Sequence, residues 1–237
     1  MTYQTVFQRR EIKYLLGTEQ YAALTKCLAA YMEPDRYGRT SVHSLYYDTP
    51  DYRLIRASLE KPVYKEKLRL RSYGRSAAES MAFVELKKKY RGVVYKRRAA
   101  MPFMDAYAYL DGRYRPANEE QIHREIDWFL QFYPLQPVVT LSCDRVALTG
   151  RADGRLRITF DSNLRWQDRS PRLESQSPGT LLLPQDTVLM EVKVSDALPL
   201  WLCRLFDGLA VYPCSYSKYG AYYKTQVLAK NGVVICA

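Results

Sequence analysis

The sequence has few histidines and cysteines, and their scarcity narrows the chemistry that it can support. Two histidines, His43 and His123, occur among 237 residues, which gives little support to a histidine triad or a histidine-rich metal site. The five cysteines are odd in number and include no Cys-x-x-Cys pair. This pattern argues against a disulfide framework and a thiolate zinc site, and it favours a reducing compartment.

Long apolar runs and a glycine-rich phosphate loop are absent too. No apolar run approaches the roughly 20 residues of a membrane span, and residues 1–5 lack the apolar core of a signal peptide. We therefore expect a cytoplasmic location, and docking on a separate membrane protein at the inner face of the membrane stays open. No GxxxxGK sequence occurs, which argues against a nucleotide site of the P-loop type.

Positive charge is what the sequence has in excess. Lys and Arg total 36 against 25 Asp and Glu, which gives a net charge of +11. Such a surplus favours an anionic partner such as nucleic acid, acidic lipid or phosphate, although a generally basic soluble protein has the same balance. Hydrophobic residues make up 47%, enough for a real core, and no linker or internal repeat divides the chain. We predict one domain over residues 1–237.

Residues 63–71, Val-Tyr-Lys-Glu-Lys-Leu-Arg-Leu-Arg, have the strongest charge pattern in the chain. Side chains of a β-strand alternate between two faces, and four cations fall on one face here: Lys65, Lys67, Arg69 and Arg71. Like charges in a row repel each other unless an anion neutralises them. This strand therefore predicts a site for a polyanion, most simply polyphosphate or a nucleoside triphosphate.

The order of the patterns predicts an α+β protein with a largely antiparallel sheet. Predicted strands cover residues 6–16, 41–48, 63–71, 82–89, 93–98, 138–147, 156–161 and 188–194. Predicted helices cover residues 18–32, 51–58, 103–111, 118–133 with Asn118 as cap, 198–209 and a final stretch from Ser217; residues 165–180 are predicted to be a loop. Several strands carry charge where a core strand is apolar. In a barrel wide enough for an ionic ligand, such residues form the lining.

Two of these strands carry carboxylates in their interior. Glu85 shares a strand face with Lys87, and it either serves the site or only pairs with a neighbouring cation. Glu191 lies among apolar residues, and we interpret it as functional because we do not expect it to pair with Lys193. Lys65 and Lys67 have an alternative interpretation as solvated residues at a strand start, and Lys65 is left out of the site. Four other cations are interpreted as surface charges near a hairpin turn: Lys88, Lys89, Arg91 and Arg97.

Short motifs in a fixed order connect these features with a known family. They are Phe7-x-Arg9-x-Glu11-x-Lys13-Tyr14, Tyr46-Tyr47-Asp48-Thr49-Pro50, Lys67-Leu68-Arg69-x-Arg71-x-Tyr73-Gly74, Glu85-x-Lys87, Asp144-Arg145-x-Ala147, Arg157-Ile158-x-Phe160-Asp161, Glu191-Val192-Lys193 and Ser217-Lys218-Tyr219. Each motif is short, but the ordered set covers nearly the whole chain. The sequence thus resembles the VTC domain, the catalytic domain of polyphosphate polymerases within the CYTH or triphosphate tunnel metalloenzyme superfamily.

The resemblance implies an α+β fold with an eight-stranded antiparallel β tunnel flanked by helices. It also implies transfer of the terminal phosphoryl group of ATP to a polyphosphate chain, with Mn²⁺ or Mg²⁺ as cofactor. The family's phosphate-binding cations fall on Lys13, Arg69, Arg71, Lys87, Lys96, Arg98, Arg145, Arg157 and Lys218. The catalytic candidates among them are Arg69, Arg71, Lys87 and Lys218. The family's metal-binding glutamate falls on Glu191, with Glu85 and Glu11 as helpers.

One position departs from the hydrolytic members of the superfamily. Their first strand carries acidic-x-acidic-x-Lys, whereas this sequence reads Arg9-x-Glu11-x-Lys13. A cation in place of the first carboxylate weakens a two-metal hydrolytic site and favours polymerase-type transfer or plain polyanion binding. An inorganic or nucleoside triphosphatase stays an alternative, as does a polyphosphate or inositol-phosphate binding module without turnover. Nucleic acid is the least supported partner.

Overall fold

A computed structural model describes residues 6–74, 80–117, 120–174, 179–195 and 197–230. Its strands are Val6–Leu16 (β1), Met32–Asp48 (β2), Tyr64–Tyr73 (β3), Met81–Tyr90 (β4), Val93–Pro102 (β5), Gln136–Gly150 (β6), Arg157–Gln167 (β7), Thr180–Leu181 (β8), Val188–Val194 (β9) and Pro213–Cys214 (β10). Its helices are Thr18–Leu28 (α1), Arg53–Leu59 (α2), Phe103–Leu110 (α3), Gln121–Phe132 (α4), Leu200–Gly208 (α5) and Lys218–Tyr222 (α6), followed by a π-helix, Tyr223–Leu228. Asn118 and the side chain of Arg9 lie outside the described part.

Within these residues, every helix is too short or too polar to span a bilayer.

Eight long strands form a closed antiparallel ring. β1 pairs with β5, and the sheet continues through β4, β3, β2, β6 and β7 to β9, which pairs back with β1. In the closing pair, Glu11 lies opposite Lys193 and Lys13 lies opposite Glu191. Alternate side chains of each strand point into the ring, so inward residues from all eight strands meet in one tunnel. The predicted α+β fold with an antiparallel tunnel is confirmed.

The described part of the chain has ten strands rather than the predicted eight. The two additional strands, β8 and β10, have two residues each and lie beside β7 and β1. The predicted loop over residues 165–180 is wrong at both ends, because β7 continues to Gln167 and β8 begins at Thr180. Backbone pairing alone defines strands this short, and two residues are too few to show side-chain alternation.

β2 begins at Met32, well before the predicted start at Ser41, and α1 ends correspondingly earlier. The pairing of β2 with β6 shifts register between Pro34 and Arg39. Proline has no N–H for the ladder, and Gly38 has a φ of +56°. This part of β2 therefore lacks the regular alternation that predicts a strand.

The hydrophobic core lies outside the ring, between the strands and the helices. On one side, outward residues of β3 and β4 pack against α3 and α4, among them Leu68, Leu70 and Phe129. On the other side, α1 and α5 cover β1, β7 and β9 through residues such as Leu24 and Phe206. Because the apolar face of each strand is buried outside the ring, the inner face is left to charged residues.

Candidate functional site

The ring encloses a cavity of about 1600 Å³ that many cations line. All nine predicted phosphate-binding residues lie in its wall: Lys13, Arg69, Arg71, Lys87, Lys96, Arg98, Arg145, Arg157 and Lys218. Two of the three predicted metal ligands, Glu11 and Glu191, line it as well, while Glu85 is fully buried. Strand alternation thus brings the predicted residues together, and their roles toward phosphate and metal stay predictions.

Glu85 is the counter-ion of four cations. β4 runs between β3 and β5, and Glu85 lies directly opposite Arg69 on one side and Arg98 on the other. Its carboxylate oxygens lie 2.8 Å from Arg69 Nη2, 2.6 Å from Arg98 Nη2, 2.5 Å from Lys96 Nζ and 3.8 Å from Arg71 Nε. Burial raises the pKa of Glu85, but the four cations outweigh burial and hold the pKa well below its usual value. The cluster is fixed in place and keeps a net positive charge.

A second buried carboxylate, Asp161 on β7, orients cations across the ring. Arg145 lies opposite it on β6 and donates two hydrogen bonds, Nε to Oδ1 at 2.6 Å and Nη2 to Oδ2 at 2.7 Å. The Lys218 amine donates to Oδ2 as well. Burial raises the pKa of Asp161, and the charges of Arg145 and Lys218 outweigh it, so this pKa lies below its usual range. The bidentate pairing sets the plane of the Arg145 guanidinium toward the cavity.

Lys218 reaches the cavity from helix α6 rather than from a strand. The next residue, Tyr219, donates a hydrogen bond of 2.8 Å to Asp48 Oδ2, and its ring stacks on Tyr46 with a centroid distance of 4.8 Å. Asp48 is fully buried and also accepts hydrogen bonds from two backbone N–H groups near the start of α2. These contacts attach the short helix to β2 and α2, and the attachment positions Lys218.

The closing strands place two more carboxylates in the wall. Glu11 Oε2 accepts a hydrogen bond of 2.6 Å from Lys87 Nζ, and Glu191 lies 3.5 Å from Lys13 and 3.6 Å from Lys193. The expectation that Glu191 does not pair with Lys193 is wrong, because residues two apart in a strand share a face. Burial raises the pKa of each glutamate, and the neighbouring cations outweigh it, so both glutamates are ionised.

The pair Glu11 and Glu191 fits a hard divalent cation. No group of three or more His, Cys, Asp or Glu side chains forms a metal cage in the described ranges. Magnesium-type ions bound with phosphate substrates need only one or two carboxylates, because water and phosphate oxygens complete the coordination. The two carboxylates lie diagonally across the pairing of β1 with β9, because Glu11 is opposite Lys193 and Glu191 is opposite Lys13. Glu85 fits poorly, because it is fully buried and three cations lie within 2.8 Å of its oxygens, whereas the cations nearest Glu191 lie 3.5 and 3.6 Å away.

Lys67 differs from these cations because no carboxylate of the described chain pairs with it. Its Nζ donates a hydrogen bond of 3.0 Å to Ser217 Oγ. Burial lowers its pKa to about 7, and the charges of four neighbouring cations add to this effect: Lys13, Lys87, Lys65 and Arg69. A bound anion would stabilise the protonated amine and raise this pKa.

We expect the affinity for tripolyphosphate to fall as the pH rises above about 7. In the free protein Lys67 loses its proton above this pH, whereas a bound anion raises the pKa, so binding takes up one proton. Because binding takes up one proton, the affinity falls by up to about tenfold for each unit by which the pH rises. Calorimetric titrations from about pH 6 to about pH 9 measure this slope. In Lys67→Met the slope should be shallower. Equal slopes in both proteins would assign the effect to the ligand's own titration and contradict this role.

The structure corrects the interpretation of two lysines. Lys65 and Lys89, interpreted as solvated and surface residues, line the cavity. Lys88 and Arg97 do lie on the outer face as predicted, and each is 3.2 Å from Glu125 of α4. Side-chain alternation along the strand distinguishes Lys65 and Lys89 from Lys88, because the odd-numbered residues of β3 and β4 face inward.

Three supporting residues lie outside the predicted set. Asp161 neutralises part of the positive charge of the wall, and Lys193 adds to it. Asp35 lies 2.7 Å from Arg157 Nη2. Asp161 and Lys193 stand two or four residues from a predicted site residue, so strand periodicity points to them. Asp35 lies in the irregular part of β2, where the sequence carries no such signal.

Solved structures of low sequence identity share this fold. A candidate adenylate cyclase from Bacillus halodurans matches with a TM-score of 0.55 and 13% identity, covering 90% of this chain and 96% of its own. A candidate adenylyl cyclase from Hippeastrum, described with a dominant triphosphatase activity, matches with a TM-score of 0.52 and 15% identity, covering 96% and 97%. At these identities the likeness shows the fold alone. No curated protein sequence matches the chain.

The family comparison is more specific than the structural one. The model of the VTC domain matches residues 8–227, a range that contains every predicted phosphate-binding residue and all eight long strands apart from the start of β1. With nearly the whole length matched, this chain belongs to the VTC domain family.

Proposed function

We propose that this domain transfers the terminal phosphoryl group of ATP to a polyphosphate chain held in the tunnel. The observation that carries the proposal is the charge of the interior, where ten cations share the five carboxylates of Glu11, Asp35, Glu85, Asp161 and Glu191. The ten are Lys13, Arg69, Arg71, Lys87, Lys96, Arg98, Arg145, Arg157, Lys193 and Lys218. Phosphate oxygens are the groups that a surplus of fixed cations binds best.

The residues suit phosphoryl transfer because this reaction asks the protein mainly for position and charge neutralisation. Arg69, Arg98 and Arg145 each pair with a buried carboxylate, which fixes a guanidinium of the shape that suits phosphate oxygens in the cavity wall. Lys87 and Lys218 add compact charges on opposite sides of the cavity. Because their contacts already hold these groups in place, they need not move as negative charge shifts from the attacking oxygen of the acceptor chain to the leaving oxygen of ADP. Mn²⁺ or Mg²⁺ on Glu11 and Glu191 would neutralise further phosphate charge.

Hydrolysis of a triphosphate in the same tunnel is the second candidate. The Hippeastrum protein of this fold is described with a dominant triphosphatase activity. The two reactions differ in the acceptor, which is water in one case and a phosphate chain in the other. Product analysis therefore separates them.

We expect a polyphosphate ladder when the protein is incubated with ATP and Mn²⁺, with or without a short polyphosphate primer, and the products are separated on a polyacrylamide gel. Lys87→Ala should reduce ladder formation roughly 100-fold, because one fixed charge at the reacting phosphates is lost. Lys88→Ala is the matched control. This neighbour points outward to Glu125, so its removal should change the rate less than about twofold.

The other products decide among the alternatives. Release of free phosphate without polymer would assign a triphosphatase activity instead of a polymerase activity. Tight binding of polyphosphate with no consumption of ATP under any metal would leave a binding module. Equal losses in Lys87→Ala and Lys88→Ala would contradict the assignment of the tunnel as the site.

A further inference from the structure

The cations of the cavity wall fall into two zones that differ in how they are neutralised. In the inner zone, each of the ten cations named above has a carboxylate within salt-bridge distance. Five further lining cations besides Lys67 have none among the described residues: Arg36, Lys61, Lys65, Lys89 and Lys224. Three of them lie together at one mouth of the cavity, and we call them the outer lysines: Lys61, Lys65 and Lys89. Lys67, which also lacks a carboxylate, lies between the zones.

The strand register forces two of these lysines together. Lys65 lies directly opposite Lys89 in the pairing of β3 with β4. Residues opposite each other in an antiparallel pair have Cβ atoms about 5 Å apart, and like charges there are destabilising. Lys65 donates a hydrogen bond of 3.0 Å to the backbone oxygen of Ser58, which carries no charge. Burial and the charges of Lys89 and Lys61 lower the pKa of Lys65. An anion at this mouth would remove the repulsion.

The outer lysines continue the cationic face of the inner zone along one strand. From Lys65 to Arg71, β3 rises about 20 Å, and every second side chain in this stretch is a cation that lines the cavity. A triphosphate bound beside Arg69 and Arg71 covers only part of that length. A linear polyphosphate carries a charge on every unit and can follow the whole face.

The surroundings of the mouth favour an inorganic chain over a nucleic acid. Two of the residues that line the cavity beside the outer lysines are Ser58, which accepts the hydrogen bond of Lys65, and Val94, which lies opposite Lys89. Leu59 packs closely on Gly220, which joins α2 to α6 at this point. Single-stranded nucleic acids bind through aromatic rings on which their bases stack, and these residues offer none.

We propose that the outer lysines form a second phosphate-binding zone, which holds the part of a long polyphosphate chain that extends beyond the inner zone. The proposal rests on the proposed function only in that the inner zone binds the other end of the chain. It assigns a role in chain-length selectivity to residues that take no part in the transfer itself.

The test compares ligand lengths in the absence of ATP and metal. Binding of tripolyphosphate and of long-chain polyphosphate is measured by calorimetry for the whole protein and for the triple variant Lys61→Gln/Lys65→Gln/Lys89→Gln. We expect the variant to bind the long chain about tenfold more weakly, a factor of about two per exposed ion pair lost. The ratio of long-chain to tripolyphosphate affinity should fall with it. The slope of log K against log salt for the long chain should decrease by about 2, which is about 0.7 for each of three contacts.

A second triple variant controls for the loss of net charge. Lys26→Gln/Lys88→Gln/Arg124→Gln removes the same charge from the outer surface, and the ratio of affinities should stay as in the unmodified protein. An equal loss for both ligands in the mouth variant would overturn the proposal, because the outer lysines would then belong to the inner zone or act through the overall field. An unchanged ratio would overturn it as well.

Two further outcomes are distinguishable. If single-stranded DNA displaces bound long-chain polyphosphate as effectively as added polyphosphate does, the assignment to an inorganic chain is wrong. If the gel assay shows no polymer but the length-dependent loss is found, the proposed transfer activity fails and the second zone stands.

Discussion

Glu85→Gln is expected to lose about 3–5 kcal/mol of unfolding free energy, the cost of breaking a buried ion cluster. Glu85 is fully buried and contacts Arg69, Arg71, Lys96 and Arg98. Glutamine keeps the size of the side chain but removes its charge, which leaves four cations without their counter-ion. Since domains of this kind are stable by about 5–15 kcal/mol, chemical denaturation should show the loss clearly.

The control for this variant is Glu125→Gln. Glu125 also contacts two cations, Lys88 and Arg97, but on the outer face of the barrel, where solvent screens the charges. We expect it to cost about 0–1 kcal/mol. Equal losses in the two variants would show that the four inner cations do not depend on Glu85.

Tripolyphosphate should restore much of the stability of Glu85→Gln. A bound phosphate brings negative charge to the same cations, so the increase in melting temperature on adding the ligand should be larger in the variant than in the unmodified protein. This result would tie the buried counter-ion and the ligand to one set of residues. A smaller increase in the variant would place the ligand elsewhere.

Glu191→Gln is expected to reduce metal-dependent turnover of ATP by at least about 100-fold, because a proposed metal ligand is lost. Binding of tripolyphosphate without metal should stay equal or become tighter. The reason is that Glu191 lies 3.5 Å from Lys13, 3.6 Å from Lys193 and 4.0 Å from Arg145, and removing its charge frees these cations for phosphate.

The opposite movement of turnover and binding separates a metal role from a structural one. A glutamate that only kept the wall together would lose both properties when replaced. Titration with Mn²⁺, followed by electron paramagnetic resonance, gives a third measurement, in which Glu191→Gln should bind the ion more weakly and Glu125→Gln should not. Full metal-dependent activity in Glu191→Gln would make the assignment wrong.

The faces of the individual strands could be predicted from the sequence. Side-chain alternation in a strand is local, so Glu85 and Lys87 could be assigned to one face of β4, and Lys67, Arg69 and Arg71 to one face of β3, without knowledge of their neighbours. The same local rule places Lys89 inside and Lys88 outside, although the surface interpretation of Lys89 did not follow it. The ordered motifs added the closed antiparallel tunnel.

Which charges meet depends on how distant segments of the chain pair and pack. Glu85 is surrounded by cations because β4 pairs with β3 and β5 in one register, and Arg145 meets Asp161 only after a shift in the pairing of β6 with β7. Lys218 reaches the wall from a helix. The next residue, Tyr219, attaches this helix to Asp48, which lies 171 residues earlier in the chain. A strand's period is fixed by its own backbone, whereas register, ring closure and the docking of a helix depend on contacts between distant segments. That is why the sequence could predict which cations face inward but not which of them are left without a carboxylate.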